Sequence, residues 1–278
     1  MPWVRTVHFV TWGHTPCWLN KNHPKLHLVR HEDYIPQEYL PTFNSNTIEL
    51  NLFRIEELSE RFVLFNDDTL LLRKCTENHF FHDGLPRDEM VANAIVPRGE
   101  RYQIQYTNMT NTSVINAHFS KSEVFKRIPL KILNWRYGIY NTLTLFLLPW
   151  QQGFTGFRNP HLPQTHLKST FSEVWDSEYS LLDMTCRNKF RVQGDVSHWL
   201  MRYWNLCSGR FYPRYPLYGK YFDIGSDNSQ LCNYIKRQKG LTICMNDMGL
   251  DYDFEKAKGE ILGALDCILP TPSAFELS

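Results

Sequence analysis

No stretch of this 278-residue sequence is apolar for long enough to cross a bilayer. The greasiest run, Leu143 to Pro149, falls far short of the ~20 residues a spanning helix needs. The opening Met1-Pro2-Trp3-Val4-Arg5 holds no apolar run of secretory-leader length. Cysteine spacing is equally negative. The seven cysteines, Cys17, Cys75, Cys186, Cys207, Cys232, Cys244 and Cys267, are odd in number, scattered and without a Cys-x-x-Cys. That argues against a zinc ribbon or a disulfide framework and for reduced thiols used as small apolar groups. Basic excess is absent too, with 30 Lys+Arg against 29 Asp+Glu, which argues against a nucleic-acid partner. There is no repeat, low-complexity tract or clear linker. These absences predict one soluble cytoplasmic domain over residues 1–278.

What is present supports a packed core. The sequence is 42% hydrophobic and 21% charged, too apolar for global disorder. Aromatics reach 14%, which suits either a saccharide-handling surface or an aromatic-rich core.

Patterning predicts strands at Val4 to Thr11, Leu26 to Val29, Arg61 to Phe65 and Leu241 to Met245. Asn44 or Ser45 caps a predicted helix with Ile48, Leu52 and Ile55 on one face. Further helices are expected from Ser169 or Thr170 towards Tyr179, over Val196 to Cys207 with Gly209 as the stop, and over Phe254 to Ile268. Glu123 to Trp135 reads as helical but interrupted by Pro129. Segments 79–84 and 95–98 read as loops with short extended pieces, 153–163 as a Gly- and Pro-rich loop, and 212–228 as an ordered but irregular loop. The mixture predicts an α/β fold with polar residues at strand ends.

The sharpest local feature is Phe62-Val63-Leu64-Phe65-Asn66-Asp67-Asp68. Ligands of open α/β sheets collect at the carboxyl ends of strands, and acidic pairs there hold Mg²⁺ or Mn²⁺ that grips a diphosphate. A solvated Asn-Asp turn explains the same residues equally well. Leu241 to Asp247 repeats the pattern with one carboxylate. Among eleven histidines, His161 lies between two prolines and His118 precedes an expected helix; either can act as a general base near neutral pH. Arg191 offers a planar fork to a phosphate. Each alone has a plainer reading, as a structural histidine or a surface ion pair.

In combination these residues resemble the Stealth phosphotransferases. Leu40-Pro41-Thr42-Phe43-Asn44-Ser45-Asn46-Thr47-Ile48-Glu49, Arg54-Ile55, Leu58-Ser59-Glu60 and Phe65-Asn66-Asp67-Asp68 are similar to that family's second block, about 1–100. His161, Lys168-Ser169-Thr170, Phe190-Arg191 and Asp195-Val196 resemble its third, about 157–210. Asn246-Asp247 and the closing Pro270-Thr271-Pro272-Ser273-Ala274-Phe275-Glu276-Leu277 resemble its fourth, about 240–278.

The resemblance implies a Rossmann-like nucleotide-sugar transferase core with inserted helical elements. It implies transfer of sugar-1-phosphate from a nucleotide sugar, commonly UDP-linked, to a saccharide hydroxyl in capsule or exopolysaccharide synthesis. A nucleoside monophosphate would leave, and Mg²⁺ or Mn²⁺ would assist. Asp67 and Asp68 would hold the cation, with Asn246 and Asp247 nearby. His161, or else His118, would deprotonate the acceptor, and Arg191 would neutralise phosphoryl oxygens. Asp195 would orient Arg191 or a histidine. Asn44 would serve the site or fix the first helix, and Glu49 is expected to be structural. Peripheral association with capsule export machinery is compatible with such a role.

The family's first block, a strand with a Thr-Trp-Val-Asp-Gly type motif, has no counterpart here. The resemblance therefore expects an amino-terminal strand missing from this sequence. That departure keeps two alternatives open: a catalytically impaired remnant or sugar-binding subunit, and an ordinary glycosyltransferase.

Overall fold

The computed structural model describes residues 1–97, 99, 103–149, 152–249 and 251–277. They form a mixed α/β fold, as the sequence predicts, with the strands gathered into four small sheets. Strands β1 (Val7–Thr11) and β2 (Leu26–Arg30) pair in parallel. β3 (Arg61–Leu64) pairs antiparallel with β7 (Gln164–Leu167). β4 (Thr69–Leu71) lies antiparallel to β10 (Thr242–Asn246), whose other edge takes β9 (Gly219–Asp223) in parallel. β5 (Phe81–His82), β6 (Leu85–Asp88) and β8 (Tyr212–Pro213) complete the set.

Several elements follow their sequence signals closely. Asn44 caps the helix Ser45–Leu50, accepting from the Asn46 amide. The expected helix through Ile55 stops early: the Asn51 side-chain amide, not its backbone N–H, donates to the Thr47 carbonyl, and a 3-10 turn, Leu52–Arg54, follows. Pro129 occupies the first turn of its own short helix, Pro129–Ile132, after Lys121–Arg127 has ended. Gly209 takes φ 76° and terminates Trp199–Ser208, a conformation only glycine adopts cheaply. Val196, Leu200, Tyr203 and Cys207 are fully buried, as their spacing predicts. They belong to the main core, where Phe171, Val174 and Trp175 of the helix Lys168–Ser177 meet Leu182 of Tyr179–Arg187.

The structure also adds to what the sequence predicts. His118 does precede a helix, Lys121–Arg127, and it also ends a sixteen-residue helix, Gln103–His118, that the patterning does not predict. That helix escapes notice because its polar residues, such as Asn111 and Thr112, face the core. Segment 212–228 is not all loop, since it supplies β8 and β9. β9 is mostly exposed, so no apolar alternation marks it. Directly after β2, His31–Tyr34 is helical, and Asp33 accepts from the Arg30 amide. Of the expected loop 95–98, Arg98 lies outside the described residues. Among the described residues, no helix is long and apolar enough to cross a membrane.

On β7, opposite Phe62 of β3, His166 is completely buried, and neither ring nitrogen has a hydrogen-bond partner among the described residues. Its ring lies 5.5 Å from Phe62, 5.3 Å from Phe171 and 5.5 Å from His198. Burial, followed by the neighbouring His198 and Arg202, holds its pKa well below the usual 6.5. The unfolded chain therefore binds this proton more readily than the native one. The linked stability is fully present above pH 6.5 and is lost as the pH falls below it. His166→Phe should shrink the stability loss between pH 7 and pH 5 by up to roughly 2 kcal/mol. Urea unfolding at the two pH values measures this; an unchanged difference would show that native and unfolded His166 take up the proton alike, so that burial does not lower its pKa.

Candidate active site

The acidic turn is built by hydrogen bonding. After β3, the amide and hydroxyl of Thr69 donate to the Asn66 carbonyl at 3.1 and 2.8 Å, reversing the chain into β4. Asp67 and Asp68 lie on that turn. The Met245 amide donates to the Asp68 carbonyl at 2.8 Å, which fixes Asp68 against β10. Because β9 and β10 run in parallel, their carboxyl ends coincide, with Asp223 opposite Asn246. The two strand-to-Asn-Asp junctions thus lie together, although β3 and β10 belong to different sheets. The Asn246 amide donates to Asp223 at 3.4 Å, and the Tyr221 hydroxyl donates to the same oxygen at 2.6 Å.

Loop 158–163 delivers His161 to this place. Its Nε2 lies 2.9 Å from Asp68 Oδ2, and the Cys244 thiol donates to that oxygen at 3.2 Å. One donor atom each from Asp68, His161 and Cys244 falls within 4.8 Å of the others. The second carboxylate oxygen, Asp68 Oδ1, is buried and has no hydrogen-bond partner among the described residues. Burial, the hydrogen bond to Asp68 and that residue's charge push the Cys244 thiol far up, so it stays protonated. It is a hydrogen-bond donor here, not a thiolate ligand. The unpartnered Oδ1 offers the hard oxygen that Mg²⁺ or Mn²⁺ prefers. Asp67 is exposed, and its carboxylate makes no hydrogen bond or ion pair among the described residues. Asp247 is also exposed and accepts from the Gly249 amide at 2.8 Å.

The loop carrying His161 is braced from beneath. Arg202, 1% exposed, grips Asp88 with Nε and Nη2 at 2.7 and 2.8 Å. Its Nη1 donates to the Arg158 carbonyl at 3.0 Å and to Asn159 Oδ1 at 3.1 Å. The Asn159 amide in turn donates to the Tyr203 hydroxyl. Glu89, fully buried, pairs with Arg158 at 2.7 Å and Arg214 at 3.4 Å. Burial pushes the Glu89 carboxyl up, against the pull of Arg214. Burial also works against the Arg202 charge, but Asp88 and Glu89 outweigh it and hold that guanidinium protonated. Arg202 falls within a predicted helix, but nothing in its local pattern announces this role.

The remaining candidates have other hydrogen-bond partners. Arg191 is exposed and donates to the Ser45 hydroxyl. Asp195 does not touch Arg191. Its buried carboxylate accepts from Asn44 at 3.0 Å, Asn188 at 2.7 Å and the Val192 amide at 3.1 Å. Asn44 is thereby a cap tied to the 188–195 turn. Beside them, the exposed rings of Phe43 and Phe190 stack at 5.3 Å. Glu49 pairs with His198 at 2.7 Å. His118 pairs with Glu178 at 2.5 Å and packs on Trp204. No hydrogen bond or ion pair among the described residues joins His118 or Arg191 to Asp68 or His161. Asp223, Tyr221 and Cys244 are the neighbours that sequence reasoning missed. The first two lie on the strand read as loop, and Cys244 looked like one more apolar strand residue.

Residues 1–88 match the family model for the Stealth protein CR2, conserved region 2. Capsular polysaccharide phosphotransferase WcwK of Streptococcus pneumoniae is 40% identical over 275 residues, covering 99% of this chain and 81% of that protein. Exopolysaccharide phosphotransferase cps2G of Lactiplantibacillus plantarum is 38% identical over 277 residues, with 99% and 81% coverage. Receptor polysaccharide phosphotransferase WefC of Streptococcus gordonii is 34% identical over 278 residues, with 99% and 82% coverage.

Breaking the brace should be costly. Arg202→Met leaves Asp88 without its bidentate partner and should destabilise the fold by about 3–5 kcal/mol. The Asp88→Leu, Arg202→Met double variant should recover much of that loss. Denaturant midpoints read both. Equal stability of Arg202→Met and the native protein would mean the pair contributes nothing.

Proposed function

Because the chain belongs to the Stealth family of bacterial polysaccharide phosphotransferases, we propose that it transfers sugar-1-phosphate from a nucleotide sugar, UDP-linked, to a saccharide hydroxyl in capsular or exopolysaccharide synthesis. The observation that carries this reading is the Asp68–His161 pair at the meeting point of the two Asn-Asp junctions. Asp68 Oδ2 accepts from Nε2–H of His161, which leaves Nδ1 as the basic nitrogen. His161 then takes the proton of the acceptor hydroxyl as its oxygen attacks the phosphorus next to the sugar. The new P–O bond joins acceptor to sugar phosphate. The bond from that phosphorus to the bridging oxygen breaks, and the nucleoside monophosphate leaves with that oxygen.

Asp68 Oδ1, buried and unpartnered, suits Mg²⁺ or Mn²⁺, with Asp67 as the adjacent second carboxylate. A bound cation supplies neutralisation of the diphosphate. Asn246 and Asp247, at the carboxyl end of β10, line the donor side. Arg191, already donating to Ser45, keeps further donors in its fork for a phosphoryl oxygen. Asp195 and Asn44 support this arm through their mutual hydrogen bond. His118 is engaged with Glu178, which favours His161 as the base.

Incubation with UDP-N-acetylglucosamine, Mg²⁺ and an acceptor oligosaccharide should release UMP, and a chelator should stop it. Asp68→Ala and His161→Ala should each lower the rate by about 10²–10⁴-fold. Full activity in both variants, or release of UDP in place of UMP, contradicts the reading.

A further inference from the structure

The segment from Val124 to Ser172 contains no Asp or Glu, while Lys126, Arg127, Lys131 and Arg136 fall within its first half. None of these four cations forms an ion pair among the described residues. The same stretch exposes large apolar side chains. Leu130 is 80% exposed, and Trp135 and Ile139 are each 78% exposed. Leu143 and Leu145 are also exposed, on the helix Tyr140–Leu147.

These tips stand on a rigid knuckle. The Asn134 amide donates to the Leu130 carbonyl, and the Asn141 amide donates to the Asn134 carbonyl, both at 2.8 Å. Tyr137, fully buried, donates to the Lys131 carbonyl at 2.8 Å and accepts from the Met90 amide at 3.2 Å. Ile132, Tyr137 and Thr144 hold the inner face, so the exposed apolar residues are directed outward by the packing beneath them. The Arg136 guanidinium lies 4.6 Å from the centroid of the Trp135 ring.

We infer that this knuckle docks on an anionic bilayer surface, with Leu130, Trp135 and Ile139 entering the headgroup boundary and Lys126, Arg127 and Arg136 meeting lipid phosphates. Among the described residues, Arg127, Lys131 and Arg136 donate to carbonyl or hydroxyl oxygens but meet no carboxylate, and exposed aromatic and aliphatic tips rimmed by cations of this kind are the combination that interfacial binding uses. Charge decides against a second copy of this chain as the occupant, since face-to-face pairing would oppose four cations with four more. This inference does not depend on the chemistry assigned to Asp68 and His161.

The test is co-sedimentation with phosphatidylglycerol–phosphatidylcholine vesicles and with phosphatidylcholine alone. The full chain should sediment with the anionic vesicles, not with the neutral ones, and salt should release it. Trp135→Glu with Ile139→Glu should weaken binding by at least about tenfold, since each tip loses its apolar burial. Lys126→Glu with Arg136→Glu should weaken it comparably and abolish the preference for anionic lipid. The inference is overturned if the native chain stays in the supernatant, if both double variants bind as it does, or if the tips instead hold a concentration-dependent dimer that binds no vesicles.

Discussion

The bidentate grip of Arg202 on Asp88 is the contact on which the site depends most. It buries a charged pair, which is expensive, and adds no apolar burial to repay that cost. What it supplies is position. One guanidinium joins the end of β6, the helix Trp199–Ser208 and the first residues of the loop that carries His161. It works with the Gln164 side-chain amide, which donates to the Pro160 and Leu162 carbonyls on either side of His161, and together they hold an imidazole 2.9 Å from a carboxylate on another turn.

From this follows a division of labour at Asp68. One oxygen is occupied by His161 and Cys244, and the other is buried and unoccupied by protein donors. A single carboxylate can therefore fix the imidazole tautomer and still offer an oxygen to a cation. The near-neutral net charge fits this economy, since phosphate would be met by a few placed groups and not by a basic surface.

The sequence was informative where a residue's role is local. Asn44 as a cap, Gly209 as a helix stop, Pro129 at a helix start and the buried face from Val196 to Cys207 all follow from short-range rules. So does the Asn-Asp ending of β3, because turn chemistry is written in adjacent residues. Asp223 and Tyr221 were not legible, since β9 is exposed and takes its strand geometry from pairing with β10. The helix Gln103–His118 was hidden because Asn111, which donates to Ser197, faces inward. The resemblance grouped His161, Arg191 and Asp195, yet the fold gives them different neighbours. His161 meets Asp68, Arg191 meets Ser45, and Asp195 holds Asn44 and Asn188.

Nitrogen-15 NMR of histidine-labelled protein tests the role of Asp68 most directly. The account predicts that His161 carries its proton on Nε2, and that Mn²⁺ broadens its signals in the native chain but not in Asp68→Ala. A proton on Nδ1, or Mn²⁺ broadening that survives Asp68→Ala, would contradict it.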